Sequence, residues 1–237
     1  MSKGRLSVFF MSLIFYMMIT TKYTHALGDY ILEFVGLKSW TGNYSGTHLT
    51  IIYFGVLFII SLFLVEKYAV NHLNISRRNI FITFIVMVTL FYSLTGIIAT
   101  NIKKNSPGLL SIGYDANDSN IDYKAENNKI VEFIAEFELT NYNEEEKLFY
   151  ISINRNFYKE EEIERINFYT LTGEKAIFKL YGNESKSFLL DLNDYIVVGG
   201  VQNGGDSGVI EEIELTNDKG DKVRLNSRNG FFAELSR

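Results

Sequence analysis

The chain contains no cysteine. Disulfides, thiolate nucleophiles and Cys-ligated zinc or iron–sulfur centres are thereby excluded. Histidine is almost as scarce: His25, His48 and His72 are the only three, and all precede residue 105. From residue 105 onward, neither a Ser-His-Asp triad nor a His-ligated zinc site can be assembled. Each half is also poor in charge of one sign. Residues 1–104 hold 9 Lys/Arg but only 3 Asp/Glu, a net of +6. Residues 105–237 hold 14 Lys/Arg against 25 Asp/Glu, a net of −11. A segment of net −11 repels phosphate, which argues against nucleic acid as a partner. The single proline, Pro107, stands just after the boundary between the two compositions.

What the first half has in abundance is uncharged apolar sequence. Three runs are candidates for entering a bilayer, near residues 6–21, 49–65 and 80–99. The third has 20 residues without a charge, which at 1.5 Å per residue reaches about 30 Å, the thickness of a hydrocarbon core. The first is the shortest. Lys3 and Arg5 before it, and Thr24-His25-Ala26 after it, give it an alternative reading as a cleaved signal peptide. Both readings leave residue 27 on the same side of the membrane. We take retention as a helix.

The flanking cations set the expected orientation. With the N-terminus inside, Lys3, Arg5, Lys67, Arg77 and Arg78 lie inside, and Lys22, Lys38, Lys103 and Lys104 outside. The α-amino group and the Arg77-Arg78 pair beside the third run tip this narrow count towards a cytoplasmic N-terminus. The acidic half is then extracytoplasmic. Between the first two runs, Asp29 is expected to cap an interfacial helix near residues 30–38, with Tyr30, Phe34 and Leu37 on one face. Runs two and three hold no Asp, Glu, Lys, Arg or His, which argues against an ion or proton path. Thr83, Thr89, Ser93, Thr95 and Gly96 give the third run a weakly polar stripe, able to bond a neighbouring helix or its own carbonyls.

Residues 105–237 are patterned with period two. Val131, Phe133, Ala135, Phe137 and Leu139 alternate with Glu132, Ile134, Glu136 and Glu138, as in a half-buried strand. Further strands are expected over residues 148–153, 163–171, 175–181 and 185–192, with a hairpin of 209–215 and 221–225 closed at Gly220. Thr172-Gly173 and Gly182-Asn183 supply turns. Seven or eight short strands at this spacing predict an immunoglobulin-like β-sandwich, although the Cys…Trp…Cys signature is missing. Residues 156–165, with the Lys159–Glu162 charge run, are a loop or short helix. The glycine-rich residues 199–208 are expected to be a mobile loop. They lack the lysine and following helix of a phosphate cradle.

The segment Asp115–Glu126 matches a calcium-loop template in part. Asp115, Asn117, Ser119 and Glu126 fall at positions 1, 3, 5 and 12, but no helix brackets the loop. His25 and His48 share one loop and could share a metal, but they read as exposed interfacial histidines, and no metal or other cofactor is expected. Carboxylates alone can serve a glycosidase. Glu132, Glu136, Glu138 and Glu144–Glu146, however, read as a solvated face and edge protection.

A few membrane helices followed by an outer β-sandwich resemble surface proteins of Gram-positive bacteria, and the richness in Lys, Ile, Asn, Phe and Tyr agrees. The expected function is a non-catalytic, membrane-anchored extracytoplasmic binding or accessory protein. Its expected partners are the lipid bilayer and another membrane or cell-surface protein. The alternatives are a carboxylate-dependent hydrolase of cell-wall polymers and an accessory subunit that acts through its helices.

Overall fold

The computed structural model describes residues 2–42, 46–127, 129–155, 164–199, 204–226, 231 and 234–235. The chain divides into two compact units, residues 1–98 and 99–237.

The first unit is helical: α1 (Lys3–Tyr16), α2 (Leu27–Phe34), α3 (Leu49–Val65, continued by a π-helical turn Glu66–Val70) and α4 (Arg77–Lys104). Four α-helices stand where three membrane helices and an interfacial helix near 30–38 were expected, with α2 starting three residues earlier than that interfacial helix. Two of them are long and apolar enough to cross a membrane: Leu49–Val70, with mean hydropathy 2.4, and Arg77–Lys104, with 2.2. At 28 residues α4 reaches about 42 Å, more than one hydrocarbon core. Both expose apolar side chains such as Ile52, Val56, Ile60, Ile82, Ile85 and Val86 outward, an arrangement that soluble monomers avoid. α1 ends at Tyr16, five residues short of the apolar run's end at residue 21.

α1 packs on the other helices through Val8 and Met11, which share a cluster with Val65, Ala69 and Ile80. The helices approach closely at Gly4, where a Cβ would lie 2.6 Å from the Tyr68 carbonyl oxygen. The weakly polar stripe of α4 is used in both of the expected ways. Thr83 and Ser93 donate to the carbonyls of Asn79 and Thr89, while the Tyr16 hydroxyl donates to Thr95 Oγ1 at 2.6 Å.

The second unit is all-β, with two antiparallel sheets. Its strands are β1 (Ile112–Tyr114), β2 (Asn120–Glu126), β3 (Lys129–Asn141), β4 (Lys147–Arg155), β5 (Glu164–Tyr169), β6 (Phe178–Leu180), β7 (Ser185–Asp191), β8 (Ile196–Gly199), β9 (Gly204–Gly208), β10 (Glu212–Thr216), β11 (Lys222–Asn226) and β12 (Glu234–Leu235). In the five-stranded sheet β3 is central. Ile134 pairs with Asp122 of β2 and with Asp191 of β7, so these strands flank it on opposite sides. The seven-stranded sheet runs β12-β11-β10-β4-β5-β8, with β6 also paired to β4.

The inward rows of both sheets form one core. It contains Phe133, Ala135, Phe137 and Leu139 from β3, Phe149, Ile151 and Ile153 from β4, and Ile213, Leu215, Val223 and Leu225 from β10 and β11. The layering is sandwich-like, as the alternation implied.

Three expectations fail here for physical reasons. Val131 is 43% exposed and does not join the inward row. The β2–β3 register shifts between Lys124 and Ala125, whose partners are Glu132 and Ile130, so a bulge turns Val131 outward. Residues 120–126, read as part of a calcium loop, form β2. The glycine-rich stretch is not wholly loop, because β9 pairs with β2 from Gly204 to Gly208. Gly204 and Gly208 adopt φ of 137° and 155°, which only glycine takes freely. A Cβ on Gly205 would lie 3.0 Å from the Tyr123 carbonyl oxygen. Among the described residues twelve strands stand where seven or eight were expected. The Lys159–Glu162 run lies outside the described residues.

Candidate functional site

Of the candidate calcium ligands, Ser119 and Glu126 are engaged at separate places. Ser119 Oγ already donates to the Ala116 carbonyl at 2.7 Å and accepts from the Tyr114 hydroxyl at 2.8 Å and the Ile210 amide at 3.1 Å. Burial pushes the Tyr114 hydroxyl well above the usual tyrosine range. The same hydroxyl contacts the Ile210 carbonyl oxygen at 2.6 Å. Ser119 thus ties the 3₁₀ turn Ala116–Asp118 to the segment before β10. Glu126 ends β2, seven extended residues from that turn, which at ~3.3 Å per residue is about 20 Å along the strand. It pairs with Lys124 at 2.8 Å. Asp115 precedes the turn and Asn117 is its middle residue. Among the described residues no group of three or more His, Cys, Asp or Glu side chains is placed to hold a metal.

A polar cluster that the sequence did not flag lies on the seven-stranded sheet, on the face away from the core. β10 points Ile213 and Leu215 inward, so Glu212 and Glu214 turn to the opposite face, yet they are only 1% and 2% exposed. The register sets Glu212 beside Asn154 and Asn226, and Glu214 beside Ser152 and Arg224. Glu214 is held by Arg165 at 3.0 Å and Arg224 at 3.6 Å. The Asn154 amide donates to Glu212 Oε1, while Glu212 Oε2 and Asn154 Oδ1 have no hydrogen-bond partner among the described residues.

Burial raises the Glu212 carboxyl above its usual value, against the lowering effect of the Asn154 bond and of Arg224. Protonation would convert the unpartnered oxygen into a donor. The folded state therefore keeps the Glu212 proton to higher pH than the unfolded chain, whose value is near 4.5. Stability from this group is greatest at low pH and falls as pH rises through the raised folded value. Glu212→Gln is expected to remove that slope and to be at least as stable as wild type near pH ~7. Urea midpoints measured across the acidic to neutral range check this. A wild type that Glu212→Gln leaves equally pH-sensitive contradicts it.

The second constellation lies in the helical unit. Asp29, expected as a helix cap, is the third residue of α2, and Ala26 precedes the helix without a side-chain cap. Asp29 is 1% exposed. Its Oδ1 accepts from Thr50 Oγ1 at 2.5 Å and contacts His48 Nε2 at 2.7 Å. The carboxylate thus sits in the first turn of α2 and against the first turn of α3, where partial positive charge favours it. The Ser39 carbonyl accepts the amides of Leu49 and Thr50, supplying partners that helix-starting N–H groups lack. Trp40 stacks on the His48 ring, with centroids 4.2 Å apart and planes 8° apart.

An imidazole oriented by a carboxylate is familiar from hydrolases. Here the hydroxyl that a nucleophilic mechanism would need donates to the carboxylate and not to the imidazole. Among the described residues, His48 has no other side-chain hydrogen bond. The arrangement is a clasp that joins the start of α2 to the start of α3. His48 is accordingly half-covered rather than a loose interfacial histidine. Nothing in the local pattern marks it, because the partners stand 19 and 21 residues apart.

A third feature is the outer strand β8. β8 ends the seven-stranded sheet and pairs only with β5 among the described residues. It exposes Ile196 and Val198, at 41% and 51%, and carries no charge or proline. Natural sheets usually protect such an edge. By contrast, Glu132, Glu136 and Glu138 are exposed along the middle of β3, as read from the alternation. When the chain is compared with known proteins, no family model, curated protein or solved structure matches it.

Proposed function

We propose that the chain is a membrane-anchored binding protein of a bacterial cell surface. In this reading the N-terminus is cytoplasmic and the β unit is an extracytoplasmic, immunoglobulin-like sandwich without catalytic activity of its own. The observation that carries the reading is β8, whose far edge has no paired strand among the described residues and which carries two outward β-branched residues. Such an edge recruits an extended segment by adding it as a further strand: backbone hydrogen bonds supply affinity, and alternate side chains supply specificity. The partner is accordingly an extended segment of another membrane or cell-surface protein. The clasped Thr50 and the dispersed carboxylates of β3 support a non-catalytic role. The hydrolase alternative would rest on Glu212 and Glu214, both sealed from solvent. The accessory-subunit alternative rests on the outward apolar faces of α3 and α4.

A photo-crosslinking residue placed at Ile196 or Val198 of the full-length chain in its membrane is expected to give one discrete adduct. The same residue at Glu136 should give none, and Val198→Lys should abolish the adduct formed from Ile196. Adducts formed only from α3 or α4 would favour the accessory-subunit reading and overturn this one.

A further inference from the structure

Between α1 and α4 lies a cavity of about 370 Å³, within the size range of small-ligand sites. Its walls are apolar: Val8 and Phe9 from α1, Ile80 and Met87 from α4. Thr83 also lines it, but its hydroxyl is spent on the Asn79 carbonyl at 2.8 Å. One charged residue stands at the wall, the exposed Arg5.

The charges at this end are unbalanced. Lys3, Arg5, Lys67, Arg77 and Arg78 face a single nearby carboxylate in sequence, Glu66. Glu66 is taken by Arg77 at 2.7 Å. Arg5 forms no ion pair among the described residues. The site therefore offers an apolar slot beside an uncompensated guanidinium, between helices of a chain whose α3 and α4 can cross a membrane. That combination complements one class of molecule: an acyl chain carrying an anionic phosphate head. Basic pockets between membrane helices hold anionic lipid headgroups in this way, and the planar guanidinium suits phosphate geometrically.

We propose that this cavity is a binding site for an anionic phospholipid of the membrane, with an acyl chain against Val8, Phe9, Ile80 and Met87 and the phosphate on Arg5. The site selects by headgroup charge, because neutral and zwitterionic lipids can fill the slot but leave the guanidinium uncompensated. Occupancy would also fix α1 against α4, adding to the Tyr16–Thr95 hydrogen bond at 2.6 Å.

The full-length protein, reconstituted in nanodiscs of equal phosphatidylglycerol and phosphatidylcholine, is released gently, and the retained lipid is counted by native mass spectrometry. Wild type should retain phosphatidylglycerol at least fivefold over phosphatidylcholine. Arg5→Gln, an exposed position where misfolding is not expected, should bring the ratio to near one. Lys3→Gln, which removes the same charge outside the cavity, should leave the preference intact. Met87→Trp should fill the slot and reduce retention of both lipids. Equal retention by wild type, or a preference that survives Arg5→Gln, overturns the proposal. A Lys3→Gln effect as large as that of Arg5→Gln also overturns it, because the attraction would then be diffuse charge rather than a site.

Discussion

Phe137→Ala is expected to cost the β unit about 3–5 kcal/mol. The side chain is fully buried in the middle of β3, and its ring stacks on Phe188 with centroids 5.7 Å apart. Phe188 lies on β7, directly opposite in the register, and itself meets Phe149 and Phe178. Removing the ring loses its own transfer energy, opens a cavity between the sheets, and deprives the cross-strand pair of its partner. Urea unfolding of residues 99–237 measures the effect. A cost below about 1 kcal/mol would mean that the strand presents its other face to the core, a one-residue slip in register.

Gly182→Ala is expected to be comparably damaging, at about 3 kcal/mol or more. A Cβ at Gly182 would lie 1.9 Å from the carbonyl oxygen of Glu144 and 2.4 Å from its carbonyl carbon. Both are backbone atoms, so no rotamer change relieves the overlap. Two turns meet here. Asn183 N donates to the Asn143 carbonyl at 2.9 Å, and the buried Asn141 amide bridges the Glu145 and Tyr181 carbonyls at 2.7 and 2.9 Å. Separating the turns would break this bridge and leave buried polar groups without partners. The same urea experiment reads it, with Gly173→Ala as the contrast: Gly173 has φ of +88° but open space around it, so backbone strain without collision should cost less. Equal costs at the two positions would contradict the close-approach argument.

These two positions show where the sequence was informative. The alternation around Phe137 is local and period two, so strand, face and burial were all legible. Gly182 was legible as a turn residue, but the reason it must be glycine is a carbonyl 38 positions earlier. Val131 followed the alternation and still faces outward, because a bulge depends on the partner strand. β9 was hidden because glycine marks loops by composition, whereas here it permits close pairing with β2. The polar cluster around Glu212 and Glu214 depends on register across four strands. The Asp29 clasp joins residues far apart in the chain. Both were invisible to pattern, as were the cavity beside Arg5 and the outer position of β8. The two long apolar helices, by contrast, could be read directly, because crossing a bilayer requires a continuous run of apolar residues.

The most direct test of the account is the side of the membrane on which the chain leaves α4. Alkaline phosphatase fused after Leu109 is active only when exported, and a green fluorescent protein at the same point is fluorescent only in the cytoplasm. The account predicts an active phosphatase and a dark fluorescent fusion, which would place the β unit and its β8 edge outside the cell. An inactive phosphatase with a bright fluorescent fusion would place them in the cytoplasm and contradict the surface-binding role.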